Sequence, residues 1–221
     1  MPNADAAGKP YSSRWHTVVC IASGPSLTTA DVERVRDWKA QAGPAEERAV
    51  LVTNTTFRIA PFADVLYGFD VAWWKHHIEE VDRSFLGERC SQAKLPSRYR
   101  VTYLKDLPHF GNSGAAAMYL AAHRGAKRII MLGYDCQHTG GQAHWHGNHP
   151  GKLGNAGSVG KWPEKFKMLA DALNKRGVEV FNASRQTALT CFQRIDLDTA
   201  LGVEHGAEHG SGIGADCGGE Q

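Results

Sequence analysis

The stretch "KRIIMLGYD" at 127–135 decides how the rest of the chain is read. Two isoleucines, a methionine and a leucine follow one another without a polar break, and glycine, tyrosine and aspartate end the run. A short apolar run bounded by turn formers marks a strand buried on both faces rather than one side of an amphipathic surface. Just before it, "NSGAAAMYLAAHRGA" (112–126) has the composition of a helix, with Asn112 or Ser113 as N-cap and Gly125 past its end. The alternation continues outward. "HTVVCIA" (16–22), "RAVLVTNTT" (48–56), "FADVLYGFD" (62–70), "RYRVTYL" (98–104) and "VEVFNAS" (178–184) read as strands, the last of them closing the series. Helical spacing marks 27–43, 71–85 and 161–177, where Phe166, Leu169 and Leu173 share a face.

Nearly all-apolar strands separated by helical crossovers imply a mostly parallel sheet with helices on both faces. Because such crossovers are right-handed, the expected class is α/β, a doubly wound Rossmann-like sheet. The expected organisation is a flexible segment at 1–15, one domain at 16–200 containing a loop or lid at 136–160, and a disordered, glycine-rich tail at 201–221.

Bulk properties narrow the partners. The 221 residues carry a formal charge of +2, which favours neither nucleic acid nor an anionic membrane. No apolar run nears the roughly 18 residues of a membrane span, and "MPNADAAGKPYSSR" lacks the apolar middle of a signal peptide. The five cysteines form no CxxC pair, a usage suited to reduced thiols and hence to a soluble cytoplasmic protein.

Ligands of doubly wound sheets bind at the carboxyl ends of the strands, so the loops there carry the function. The first strand ends in "ASGPSL", where Ser23, Gly24, Pro25 and Ser26 combine a permissive backbone with a helix start and exposed amides suited to an anion. The second ends in "TNTTF", presenting Asn54. The third presents Asp70 and Trp73, the latter with Trp74 an aromatic pair of the kind that usually packs in a core. Asn112, Ser113 and Gly114 open an alanine-rich helix that can lie close to the sheet and aim its positive end at the cleft. Asp135 is the carboxylate at the end of the central strand, fit either for a ligand role or for tying the following loop.

Taken in order, "IASGPSL", "TNTTF", "GNSGAAAMYLA" and "KRIIMLGYDCQ" resemble the Rossmann-like sialyltransferases of glycosyltransferase family 42. They equally resemble the related proteins of unknown function that include archaeal 6-hydroxymethyl-dihydropterin diphosphokinases. The resemblance spans about 16–190 and implies a transferase using a nucleotide-activated donor held by Ser23, Gly24, Pro25, Ser26, Asn54, Asn112, Ser113 and Gly114. Assembly into homo-oligomers is frequent among such proteins. Bacterial sialyltransferases carry a tyrosine shortly after the aspartate of this strand, where this chain has Cys136 and Gln137. Their catalytic histidine lies in a flexible lid before the last helix, a region where this chain has four. In the diphosphokinases a divalent cation, magnesium, would bridge ATP phosphates, with Asp70 or Asp135 as candidate ligands.

Those four histidines stand in "HTGGQAHWHGNHPGKLGN" (138–155). Its spacing resembles the HxHxDH metal signature of metallo-β-lactamase-like hydrolases, with Asn148 in place of the aspartate. That fold needs further ligands downstream, where only His205 and His209 remain, in the tail. On the transferase reading the loop is a lid, and one imidazole deprotonates an acceptor hydroxyl. His146 is the first choice of base, with His144 and His149 beside it, and Lys152 or Lys161 would neutralise phosphate. A looser metal site of two histidines and Asp135 stays open, as does plain loop-tying over Trp145. The expected function is glycosyl transfer from a CMP- or similar sugar nucleotide. The alternatives are an ATP- and magnesium-dependent diphosphokinase, a non-catalytic nucleotide-binding module and a metal-dependent hydrolase.

Overall fold

The computed structural model describes residues 15–43, 47–151, 153–154 and 157–203. Of the expected N-terminal segment only Trp15 is among them, and of the expected tail only 201–203; Lys152, His205 and His209 lie outside the described residues.

The strands are β1 (Thr17–Ile21), β2 (Arg48–Thr53), β3 (Val65–Tyr67), β4 (Glu88–Ser91), β5 (Thr102–Tyr103), β6 (Arg128–Leu132), β7 (Glu179–Asn182) and β8 (Gln193–Arg194). The helices are α1 (Thr29–Ala40), α2 (Val71–Ser84), α3 (Ser113–His123), α4 (Trp162–Lys175) and α5 (Leu197–Leu201). All eight strands form one sheet in the order β5-β4-β3-β2-β1-β6-β7-β8, and every neighbouring pair is parallel. The molecule is thus an α/β protein with a doubly wound, Rossmann-like parallel sheet.

Both faces of the central strands are buried. Val18, Cys20, Ala49, Leu51, Ile129 and Met131 pack under α3 and α4. Val19, Ile21, Val50, Val52, Ile130 and Leu132 pack under α1, α2 and α5. Burying each of the larger aliphatic side chains contributes roughly 1.5–3 kcal/mol, which is why an unbroken apolar run is stable here. On α3, alanines fill the face against the sheet and let the helix lie across β2, β1 and β6. The Asn112 side chain caps it by accepting from the Ala115 amide at 3.1 Å. Gly125, at φ 101°, supplies the left-handed turn that ends it.

Two parts of the sheet differ from the sequence expectation. The run at 98–104 is a 3-10 turn (Ser97–Tyr99) followed by the two-residue β5, because Arg100 takes a left-handed conformation (φ 50°) that breaks the extended chain. β4, β8 and α5 were not expected. β4 reads "ERCS", and its charges hide it: Glu88 pairs with the buried Arg124 that caps the end of α3 (Nη2–Oε1 2.7 Å), and Arg89 with Asp82. No helix among the described residues is long and apolar enough to cross a membrane.

Candidate functional site

β1 and β6 are neighbours, yet the chain leaves β1 toward one edge of the sheet and β6 toward the other. This break leaves a crevice beyond their carboxyl ends. On its β1 side, the Gly24 amide donates to the Gly133 carbonyl at 2.7 Å. Asp135 accepts from the Ser26 amide at 3.0 Å, the Ser26 hydroxyl at 2.8 Å and the Thr139 hydroxyl at 2.9 Å. Burial pushes this carboxyl up, and the three donors oppose that shift. A Cβ on Gly24 would lie 2.1 Å from Asp135 Oδ1 and 2.4 Å from the Gly133 carbonyl oxygen. Glycine is therefore required by the packing of Asp135, whatever the cleft binds. Ser26 also accepts from the Gln186 amide at 3.2 Å. Ser26 and Asp135 stand behind the cleft and hold its turn in shape; they are not in its lining.

The cleft is lined by Ser23, Gly24 and Pro25, by Asn54, by Asn112, Ser113 and Gly114, and by His144 and His149. Four loops far apart in sequence thus meet there. At the start of α3 the Asn112 cap takes the Ala115 amide, and the Ala116 amide bonds to the Asn112 carbonyl. The Ser113 and Gly114 amides, at the positive end of the helix, remain on the cleft wall. Gly114 admits a close approach: a Cβ there would sit 2.8 Å from the ring of Tyr134, whose hydroxyl donates to the Gly114 carbonyl. Asn54 takes a left-handed conformation (φ 49°), and its Oδ1 is buried with no hydrogen-bond partner among the described residues.

The described part of the histidine loop folds down onto the first turn. The Trp145 amide donates to the Ser23 carbonyl at 3.1 Å, and Ser23 Oγ lies 3.1 Å from His144 Nδ1. Gly147, at φ 80°, turns the chain between His146 and His149. The rings of His144 and His146 are nearly parallel (11°), with centroids 5.2 Å apart. His149 lies 4.9 Å from the first and 4.7 Å from the second. His144 and His149 are each only 8% exposed. The Nε2 atoms of His144 and His146 are buried with no hydrogen-bond partner among the described residues. Burial, then the neighbouring imidazoles, push His144 down to about 4 and His146 down to about 3. Burial also lowers His149, followed by the charges of His77 and Arg58.

Such rings are neutral at pH 7. A general base works best with a pKa near the operating pH, and His144 and His146 lie far below it. Neutral imidazoles gathered this closely are instead the state in which histidine accepts a cation. His138 is exposed and stands outside the trio.

Several residues at the cleft were not singled out from the sequence. Phe69 lines it beside Asp70, which also caps α2 by accepting from the Ala72 amide at 2.7 Å. Trp162 lines the side nearest α4. Lys165 donates to the carbonyl of the rim residue Gly111 at 3.3 Å, and neither it nor the exposed Lys161 is in the lining. The aromatic pair Trp73 and Trp74 is core, with Trp73 Nε1 donating to Thr55 at 3.2 Å. His77 lies buried against Trp73 with its Nε2 lacking a partner among the described residues. Its one sequence signal is the i, i+4 spacing from Trp73 on the inner face of α2.

No protein-family model matches the chain, and no curated protein matches it. Among solved structures, the crystal structure of BdcA in complex with NADPH is similar at 13% identity, with 86% of each chain covered and a TM-score of 0.29.

Proposed function

We propose that the protein is a transferase that takes a nucleotide-activated donor into the cleft between the ends of β1 and β6, with glycosyl transfer from a CMP- or similar sugar nucleotide as the reaction. One observation carries this reading: the glycine turn at Ser23 to Pro25 and the start of α3 at Ser113 and Gly114 meet across the topological break of a parallel sheet. Backbone amides at a helix start suit a phosphate group, and Lys165 bonds to the rim residue Gly111. Asn54 Oδ1, a buried acceptor with no partner among the described residues, suits an amino or hydroxyl group of the nucleoside. Phe69 and Trp162 offer flat apolar faces on two sides of the cleft.

Asp135, considered for magnesium in the diphosphokinase alternative, already accepts from Ser26 and Thr139 with both oxygens. That favours the glycosyl-transfer reading over the ATP-dependent one. The test is a thermal-shift series with CMP, CDP, UDP and ATP, each with and without Mg²⁺. A pyrimidine nucleotide at about 100 times its Kd should stabilise the fold by about 2.7 kcal/mol, without magnesium, and Asn54→Ala and Asn112→Ala should reduce the shift. Stabilisation by ATP only with Mg²⁺ would move the reading to the diphosphokinase. A flat melting temperature across the series would remove the reading altogether.

A further inference from the structure

We infer that His144, His146 and His149 form a three-nitrogen site for one zinc-class divalent cation, with its remaining coordination position opening on the cleft. The site stands on its own residues and does not depend on the donor proposed above. One nitrogen from each ring lies within 4.8 Å of the others. Three nitrogens around a tetrahedral zinc ion sit about 3.3 Å apart, given zinc–nitrogen distances of about 2.0–2.1 Å, so ring movements on the order of 1 Å complete the geometry. A purely loop-tying role would give these nitrogens protein partners. Instead the Nε2 atoms of His144 and His146 are buried without one among the described residues, and a buried polar atom left so is costly.

The surroundings suit one tautomer of His144 and one class of ion. His144 Nδ1 lies 3.1 Å from Ser23 Oγ; the tautomer in which Nδ1–H donates to that hydroxyl is the one that leaves the Nε2 lone pair for a metal. The Ser23 carbonyl holds the next residue, Trp145, by its amide, so the loop is anchored at His144 before any ion arrives. Three neutral imidazoles suit zinc and its neighbours in the transition series, whereas magnesium and calcium demand oxygen ligands. Three protein ligands and an open fourth position are the arrangement of catalytic rather than structural zinc. His144 and His149 both line the cleft, so an ion there would present a Lewis acid to its occupant.

The experiment titrates metal-stripped full-length protein at pH 7.5 with ZnCl₂ and CoCl₂, without nucleotide, by calorimetry and visible absorption. One ion per chain should bind, and cobalt should give the intense d–d absorption of a four-coordinate centre. His146→Gln and His149→Gln should each weaken binding by at least about 100-fold, and Ser23→Ala by about 10-fold, with circular dichroism and melting profiles confirming that each variant is folded. MgCl₂ should produce no signal. Failure of the folded wild-type protein to take up stoichiometric zinc or cobalt would overturn the inference. So would undiminished uptake by both histidine variants. Because nucleotide is absent, neither result bears on the thermal-shift series, and the two readings can fail separately.

Discussion

Two loops meet at Ser23, and they treat buried polarity in opposite ways. The turn after β1 packs on the buried carboxylate of Asp135 from the end of β6, which has three donors of the protein's own, two from Ser26 of that turn and one from Thr139, and the turn's Gly24 has just enough room. In the histidine loop a few residues away, the Nε2 atoms of His144 and His146 are buried with no such partner among the described residues. The first loop is complete as it stands. The second leaves those two nitrogens without a partner among the described residues. A buried polar group that a protein leaves without a partner points to a ligand, and one that it satisfies fully points to architecture. Asp135 spends both of its oxygens on hydrogen bonds within the protein, whereas the Nε2 atoms of His144 and His146 make none among the described residues.

The comparison can be broken most forcefully at Gly24. Gly24→Ala forces a Cβ into the Asp135 carboxylate and the Gly133 carbonyl and should destabilise the protein by about 3 kcal/mol, read from urea denaturation. Asp135→Ala should cost about 2 kcal/mol by leaving the Ser26 amide and two hydroxyls without their acceptor. A neutral result in the same assay would mean that the first loop is not held as described.

Acid provides a test of the second loop. The folded-state values of His144 and His146 are about 4 and about 3, below the ordinary histidine value of 6.5. Between those limits the unfolded chain binds more protons than the native one, so stability is fully present above pH 6.5 and is lost as pH falls toward 4 and 3. The melting temperature of metal-free protein should fall across this window, and His144→Gln with His146→Gln should flatten the decline. An equally steep decline in that double variant would place the acid-sensitive groups elsewhere. The smallest expected effect is Thr139→Val, which removes one of the three donors to Asp135 and should cost about 1 kcal/mol in the urea assay.

The legible and illegible parts of the sequence separate by the same physics. β1, β2 and β6 were visible because both of their faces are buried and no polar residue interrupts them. β4 and β8 were not, since "ERCS" and "QR" satisfy their charges through partners distant in sequence. The glycine turn, Asn54 and the start of α3 were legible as strand-end features, and the cleft brings them together. The partnership of Ser26 with Asp135 spans 109 positions and leaves no local spacing to read. In the histidine loop the residue types were plain, while the convergence of three rings depends on the turn at Gly147 and the anchor at Ser23. Phe69, which lines the cleft, has no local signal, because nothing nearby in sequence distinguishes a phenylalanine facing a cleft from one facing core.

The strand order has a kinetic consequence. Thr17 pairs with Arg128, a separation of 128 − 17 = 111 positions, so the central β1–β6 contact closes one of the longest loops in the chain. β2, β3, β4 and β5 can add to β1 in sequence, whereas β6 must return across the whole of that half before it finds its neighbour. Contacts of such high sequence separation form slowly, because the entropy of closing the loop is spent before any pairing rewards it. The cleft lies at that same junction, so binding competence should appear only in the last phase of refolding, after most helical signal has returned.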